Sequence, residues 1–387
     1  MRFENKGLLH SVIETVYGTD PGSGYTPIDY AEGAEIQARG EKIVRNVVRP
    51  TFSPKGHVIG SKEYTLAPQV ELRGGGLDTG VIQLPEVDSL LQSCGLAKQE
   101  SLVIAVDTIS GTFAVGETIN NTTSSNVVGT LADIDLGPGE AGVLYIRNAQ
   151  NTPADNDALA GGTSAATANT NGTPEDALIY VPTSTRASMK SSTIHFYRDG
   201  VRHILTGSRG TMELDLTTGK RAMAKFNLTG LWNDPTDTSE PAVTFSSIDP
   251  PVCYGATLQL GTLDLDDAMI NSIQFRLGNK VVPRGGLQAA EGRASVEISG
   301  REPGGSLDPE ALALSAFNPW TAWKNATAQK ITTLIGSTAG NRFRLGLPYA
   351  LYDEVAYRGR DGILAYQLPF TAKGSDTGDD EFYLLFY

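Results

Sequence analysis

The run from Gly210 to Gly230 constrains this chain more than any other. Met212, Leu214 and Leu216 alternate with Glu213 and Asp215, TTGK supplies a turn, and Ala222, Ala224, Phe226 and Leu228 alternate on the return. A period of two puts successive side chains on opposite faces, so this is a hairpin with one face in a core and the other in water. KEYTLAPQVELRGGG repeats the pattern: Val70 and Leu72 are expected inside, Glu71 and Arg73 outside, with the glycines turning the chain into a helix. The wet faces of these strands become the surface of interest.

Short alternating runs, 43 glycines and 20 prolines favour antiparallel β structure with few helices. At 387 residues the chain suits two or three domains. No apolar run is long enough to span a bilayer, and MRFENKGLLHSVIETVYG lacks the plan of a signal peptide, so a soluble, unprocessed chain is expected. Cys94 and Cys253 lack CxxC spacing and are expected to be buried thiols.

Residues 101–178 differ from their surroundings. They hold nine carboxylates against Arg147 alone, within a chain of net charge −13, and are poor in aromatics but rich in Gly, Ala, Thr and Asn. They read as a small inserted β domain with a loose loop near 150 to 175; plain disorder is the competing reading. With that segment removed, an order emerges on each side. QARGEKIVRNVVRP and KEYTLAPQVELRGGG are strands, LPEVDSLLQSCGLA is a helix, and STIHFYRDGVRHILTG precedes the hairpin. The second half repeats this grammar with NSIQFRLGNKVVPR and EGRASVEISGREPGGS as strands, LDPEALALSAFNPW as a Pro-opened helix and a hairpin turning at GRDG. The reading is therefore a first module of 1–100 and 179–240, the insert, and a second module of 241–387, with Asn233 to Gly255 as linker or shared edge.

Chemical motifs are weak. His10, His57, His195 and His203 are scattered, GTDPGSG lacks the lysine of a phosphate loop, and no GxSxG elbow occurs. DLDD (Asp264 to Asp267) and DTGDDE (Asp376 to Glu381) match no calcium loop and read as solvated turns. The net charge argues against a phosphate-gripping surface. No catalytic residue, metal or cofactor is expected.

Several stretches resemble the major tail tube proteins of long-tailed (siphovirus-like) bacteriophages: EGAEIQARGEKIVRNVVRPTFSPKGHVIGSKEYTLAPQVELRGGG, GTMELDLTTGKRAMAKFNLTGLW, SSIDPPVCYGATL and the ending DDEFYLLFY. GTFAVGETINNTTSSNVVGTL is similar to small β modules inserted in virion proteins. The resemblance implies tandem β-sandwich or barrel modules, each with a flanking helix, whose strands join those of neighbours into rings that stack as a tube. Rings of six single-module or three duplicated subunits occur in such a family, and the tandem grammar favours three. The resemblance further implies a virion tail component assembled in the host bacterial cytoplasm and meeting terminator, baseplate or tip, and tape measure proteins. Double-stranded DNA would pass without sticking, and no membrane would be involved. An acidic channel wall is expected from Glu71, Glu213, Asp215 and Glu297, partly offset by Arg73, Lys225 and Arg276, with Asn227 beside them. Two alternatives stay open: a β-rich protein binding or cleaving polysaccharide, for which only Trp320 and Trp323 hint at a groove, and a secretion-system tube subunit.

Overall fold

The computed structural model describes all residues except 1, 2, 4, 5, 138, 262 and 265–268; the acidic run at Asp264 to Asp267 extends outside them. Among the described residues strands dominate, with two short helices, Asp88–Ser93 and Pro319–Lys324, and the strand pairings are antiparallel.

Two stretches of chain run through the same order of elements. The first has a small hairpin (Gly7–Ile13 with Thr26–Ile28), a long hairpin (Glu35–Val44 with His57–Ala67, extended by Gln69–Glu71) and the helix Asp88–Ser93. After residues 96–182 it resumes with Ser192–Arg198, Val201–Thr217 and Met223–Leu231. The second has a small hairpin (Thr257–Leu260 with Leu263–Asp264) and a long hairpin in two sections. Ile270–Arg276 pairs with Gly304–Pro309, and Asn279–Gly285 with Arg293–Arg301. The helix Pro319–Lys324 follows, then Gln329–Ile335, Phe343–Tyr352 continued by Ala356–Arg360, and Ile363–Ala372. In each stretch one long strand serves two layers. Val201–Thr217 pairs first with Ser192–Arg198 and, past a bulge at Thr206 to Arg209, with Met223–Leu231. Phe343–Tyr352 likewise pairs first with Gln329–Ile335 and then with Ile363–Ala372.

The stretches join in one sheet because Val201–Thr217 lies beside Ile270–Arg276, with Leu214 opposite Phe275. Beneath it lies one apolar core: Leu66, Val70, Met212, Leu214, Phe226 and Leu228 from the first stretch meet Phe275, Leu307, Phe343, Leu345, Leu368 and Phe370 from the second. Burying side chains of this size contributes roughly 1.5–3 kcal/mol each, so the alternation is strongly enforced.

Three expectations require correction. LDPEALAL is not helical: Leu307 is paired with both Ile273 and Leu368, and Asp308 accepts from the N–H groups of Asn271 and Ser272 instead of capping a helix of its own. The helix starts later, at Pro319, where the Asn318 side chain accepts from Thr321 N at 3.0 Å. The stretch near 150 to 175 is no loose loop, since it holds strands Ala158–Gly161 and Thr167–Thr170. Glu117 fastens it by accepting from the backbone of Thr163, Ser164 and Ala114. Burial would raise that carboxyl, but these donors and the Ser164 hydroxyl hold it at about 2. Arg73, expected outside, is buried. The strand ends at Glu71, and Arg73 turns inward to pair with Glu86 and Asp29 at 2.7 Å each and to donate to Ile248 O.

The glycines after Arg73 serve close approach more than turning. A Cβ on Gly74 would lie 2.1 Å from Gly340 O, and one on Gly75 2.3 Å from Gln83 O. Gly76 N donates to Gly340 O and Gly74 N to the Asn341 side chain, which fastens the first stretch to a turn of the second. Asn233 to Gly255 runs almost without strand as a strap, held where Cys253 and residues 219 and 220 exchange backbone bonds and where Asn341 donates to Asp249 O. Both cysteines are buried and free; burial pushes the Cys253 thiol up to about 11 and raises that of Cys94 further.

Candidate functional site

Because strand registers align across both stretches, wet-face side chains fall into rows crossing the sheet. One row reads Gln69, Lys225, Glu213, Arg276, Gly304 and Thr371, each directly opposite the next. Its neighbour reads Glu71, Met223, Asp215, Gln274, Ser306 and Pro369. Asn227, opposite Thr211, begins a third. Glu213, Asp215, Lys225, Asn227 and Arg276 are exposed, while their chain neighbours Met212, Leu214, Ala224, Phe226 and Phe275 are buried. Several of these wet residues line a shallow groove of about 430 Å³.

Six of the eight residues singled out in the sequence therefore share one face: Glu71, Glu213, Asp215, Lys225, Asn227 and Arg276. The other two do not. Arg73 lies in the core, and Glu297 sits on the ribbon Asn279–Gly285/Arg293–Arg301, clamped by Arg209 at 2.6 Å and Arg186 at 2.8 Å. Burial would raise the Glu297 carboxyl, but the Ser295 hydroxyl and both arginines hold it below the usual carboxylate range. One carboxylate and one cation drop out together, so the balance of the surface stays as expected. Three carboxylates remain against Lys225 and Arg276, and Glu71 is bonded by Arg221 as well. The first row alternates in sign and the second carries carboxylates alone, so a small acidic excess stays on this face.

Two charged constellations escaped the sequence reading. Where the insert meets the second stretch, Arg344, 1% exposed, reaches Asp133 at 2.8 Å and Asp135 at 2.6 Å. Lys330 reaches Asp133 at 2.6 Å, Tyr383 donates to Asp133, and the Arg344 guanidinium lies 4.2 Å from the Tyr145 ring centroid. Burial disfavours the Arg344 charge, yet the neighbouring tyrosines and aspartates outweigh it and raise the pKa well above the usual guanidinium value. Burial would also raise Asp135, but Arg344 and Lys330 hold it below the usual range. The second constellation joins histidines called scattered. His10 is opposite His195 across Gly7–Ile13 and Ser192–Arg198, His195 meets Asp20 at 2.9 Å, and Tyr25 bonds Asp20 and stacks on His10. Burial, then the nearby His195, lowers His10 to about 4; burial lowers His195 despite Asp20. Only strand pairing could have shown either group, because His195 lies 175 residues from Asp20, and Lys330 and Arg344 lie 195 and 209 residues from Asp135.

The insert has its own apolar core of Leu102, Ile104, Ile119, Leu131, Leu144 and Ile146. Its ends are adjacent, since Leu96–Ser110 and Glu175–Pro182 pair from Leu96 opposite Pro182 to Val103 opposite Glu175. Glu175–Pro182 also pairs with Tyr383–Phe386, which pairs in turn with the first section of Phe343–Tyr352, in the layer behind the wet rows.

Comparison with protein families gives a match to a model described as phage tail tube protein, over residues 4–372. A search of curated proteins finds no match.

Proposed function

Since this chain belongs to the phage tail tube protein family and is a structural component of the virion tail, we propose that it closes into rings of three, that the rings stack into a tube, and that the wet rows line the channel. The observation that carries this reading is the continuity of the rows: they pass from one stretch to the other at Glu213 and Arg276 without a break in register. A wall made that way needs only more copies to curve round and close, and closure gives the edge N–H and C=O groups partners that would otherwise invite uncontrolled pairing. Three chains with two equivalent stretches each would present six repeats of the wall.

The lining residues on this reading are Glu71, Glu213, Asp215, Lys225, Asn227 and Arg276. The alternation of Lys225, Glu213 and Arg276, beside a row whose charges are carboxylates, suits a conduit for DNA. Each cation faces a carboxylate across the strands, so a passing phosphate finds no cluster able to displace its counterions, and beyond about 8 Å at physiological salt the remaining field is screened. We take the tandem stretches as two tube modules and residues 101–178 as an outer decoration, because the insert leaves from the layer behind the wall. Assembly would take place in the host cytoplasm, with other tail proteins at the tube's ends.

Electron microscopy of the purified chain tests this. Hollow stacked rings with threefold averages and sixfold inner walls are expected. Six full-length chains per ring would refute the modular argument, and monodisperse monomers that bind glycans would replace the tube with a carbohydrate-binding role.

A further inference from the structure

Each stretch sends out an arm, and among the described residues only one arm packs on another part of the chain. The ribbon Asn279–Gly285/Arg293–Arg301 lies over the end of the first stretch. Lys62 N donates to Glu291 O at 3.1 Å, Lys62 pairs with Glu291 at 2.7 Å, and Arg293 pairs with Glu63 at 2.9 Å. Val296 N donates to the Tyr17 hydroxyl, and Asn279 Nδ2 donates to Gly210 O and to Cys94 O at the end of the helix Asp88–Ser93. Val296 is fully buried there.

The other arm is the outer part of Glu35–Val44/His57–Ala67 with its connection, residues 40–60. Val48 and Phe52 are fully exposed, and Ile43, Val44, Val47, Val58 and Ile59 are roughly half exposed. The two arms are the same element in sequence: GEKIV at 40–44 answers GNKVV at 278–282, and VIGSKE at 58–63 answers EISGRE at 297–302. A lone two-stranded ribbon is marginal in water, and a contiguous apolar patch marks a surface meant to be covered.

We propose that residues 40–60 dock on a second copy of this chain, over the end of its second stretch, as residues 279–301 dock on the first stretch within one chain. This rests on the ring reading and names the contact that joins neighbours. The internal seam supplies the template. Ile270–Arg276, from which the docked arm springs, lies beside Val201–Thr217. The corresponding strands, Glu35–Val44 and Ala356–Arg360, each have a single neighbour among the described residues. Repeating the seam between copies sets Glu35–Val44 along Ala356–Arg360, and the arm then reaches the end of the helix Pro319–Lys324. The surfaces are complementary. Exposed Glu35 meets an edge carrying exposed Arg358, and the apolar arm meets Trp323, 47% exposed, beside that helix's end. The contact is heterologous, so it propagates from copy to copy until a ring closes.

The test uses the full chain with V48D/F52D in the arm, R358E on the receiving edge, and E35R/R358E as a charge swap. All four positions are exposed, and circular dichroism with thermal melting checks that each variant folds. V48D/F52D and R358E should each raise the concentration needed for assembly by at least about tenfold, and the charge swap should restore it. A mixture of V48D/F52D with R358E should form one-to-one dimers and stop, because each variant keeps one intact surface. Folded V48D/F52D that assembles like the parent, or that forms normal single rings and fails only to stack, overturns the proposal while leaving the tube reading intact. Mixtures that yield no dimer overturn it as well. A parent chain that forms no ring at all overturns the tube reading itself.

Discussion

Two arrays of alternating charge cross neighbouring strands in this protein, one buried and one wet. Asp133, Arg344, Asp135 and Lys330 join the insert to the second stretch through bonds of 2.6 to 3.3 Å, with Arg344 and Asp133 each 1% exposed. Lys225, Glu213 and Arg276 run side by side in register on the open face of the sheet. The residue types are the same; the solvent is not. Out of water, a charge stripped of its partner has nothing to replace it, so the buried array dictates geometry. In water each charge keeps its hydration and the array sets only the character of a surface. Large changes in stability should follow from the first, and changes in what the open face of the sheet attracts or repels from the second.

The buried array should break hardest. Asp133→Ala leaves Arg344 facing Asp135 alone and removes the acceptor of Tyr383, and we expect a loss of about 3–5 kcal/mol in denaturant unfolding, the usual cost of orphaning one partner of a buried ion pair. Replacing Arg344 with Met together with Asp133→Asn should return most of it. A loss under about 1 kcal/mol for Asp133→Ala would mean that water reaches the cluster, and the contrast with the wet array would collapse. The same cluster decides how the insert can be removed. Joining residue 100 to residue 179 by a short Gly/Ser linker keeps Gln99 opposite Ile179, but it takes Asp133 and Asp135 with it. The plain deletion should fold poorly, whereas the deletion carrying Arg344→Met should fold and, on the proposed reading, form tubes. A folded, soluble deletion protein without any assembly would show that the insert is no mere decoration.

Acid should come next in size. His10 titrates near 4 in the folded chain against about 6.5 unfolded, and His195 is lowered too. Groups buried neutral cost nothing above the unfolded value; as pH falls below it the unfolded chain takes up protons first, and stability declines toward the folded values. Asp135 is depressed, so its stabilising share is present above the unfolded carboxylate value and is lost as pH falls through its folded one. Unfolding midpoints should therefore drop in two stages, from about pH 6.5 through the histidines and then at lower pH through the depressed carboxyls Asp135, Glu297 and Glu117. His10→Asn should flatten the upper stage only. A midpoint unchanged between pH 7 and 5 would contradict the burial of both histidines.

The legibility of these features followed their range in sequence. The hairpin at Gly210 to Gly230 was fully readable because alternation and turn lie within one window, and the observed register pairs Met212 with Phe226 and Leu214 with Ala224. The helix near Asp88 was readable from its local punctuation, and Gly95 closes it with φ of 78°. Pro309 misled for the same reason: it looks like a helix opener locally, but Leu307 lies between two strands that only the fold brings there. Arg73 was misplaced because alternation was carried two residues past the end of its strand. Four of the six residues on the wet face lie on the hairpin itself, and Glu71 and Arg276 extend its rows. The buried array was illegible, since a lone Arg344 in a strand gives no sign that Asp133 and Asp135 wait beneath it.

The smallest effect on stability should carry the most specific effect on function. Glu213 stands between Lys225 and Arg276, so changing Glu213 and Asp215 together to Lys sets three cations side by side in one row and a fourth in the next. Like charges directly opposite on neighbouring strands repel, yet in water the cost should stay at about 1 kcal/mol or less. Tubes should form. Their channel, on the proposed reading, would carry unopposed cations around every ring and along every stack, and weak phosphate contacts multiply when a polyanion meets many at once. Particles with this pair should look normal and eject DNA slowly at low salt, with partial recovery at high salt, where the gain from releasing counterions shrinks. The single change Arg276→Gln in that background should restore part of the rate by removing the cation that Glu213 had faced. Ejection at the parental rate in low salt would mean that these rows do not line the channel.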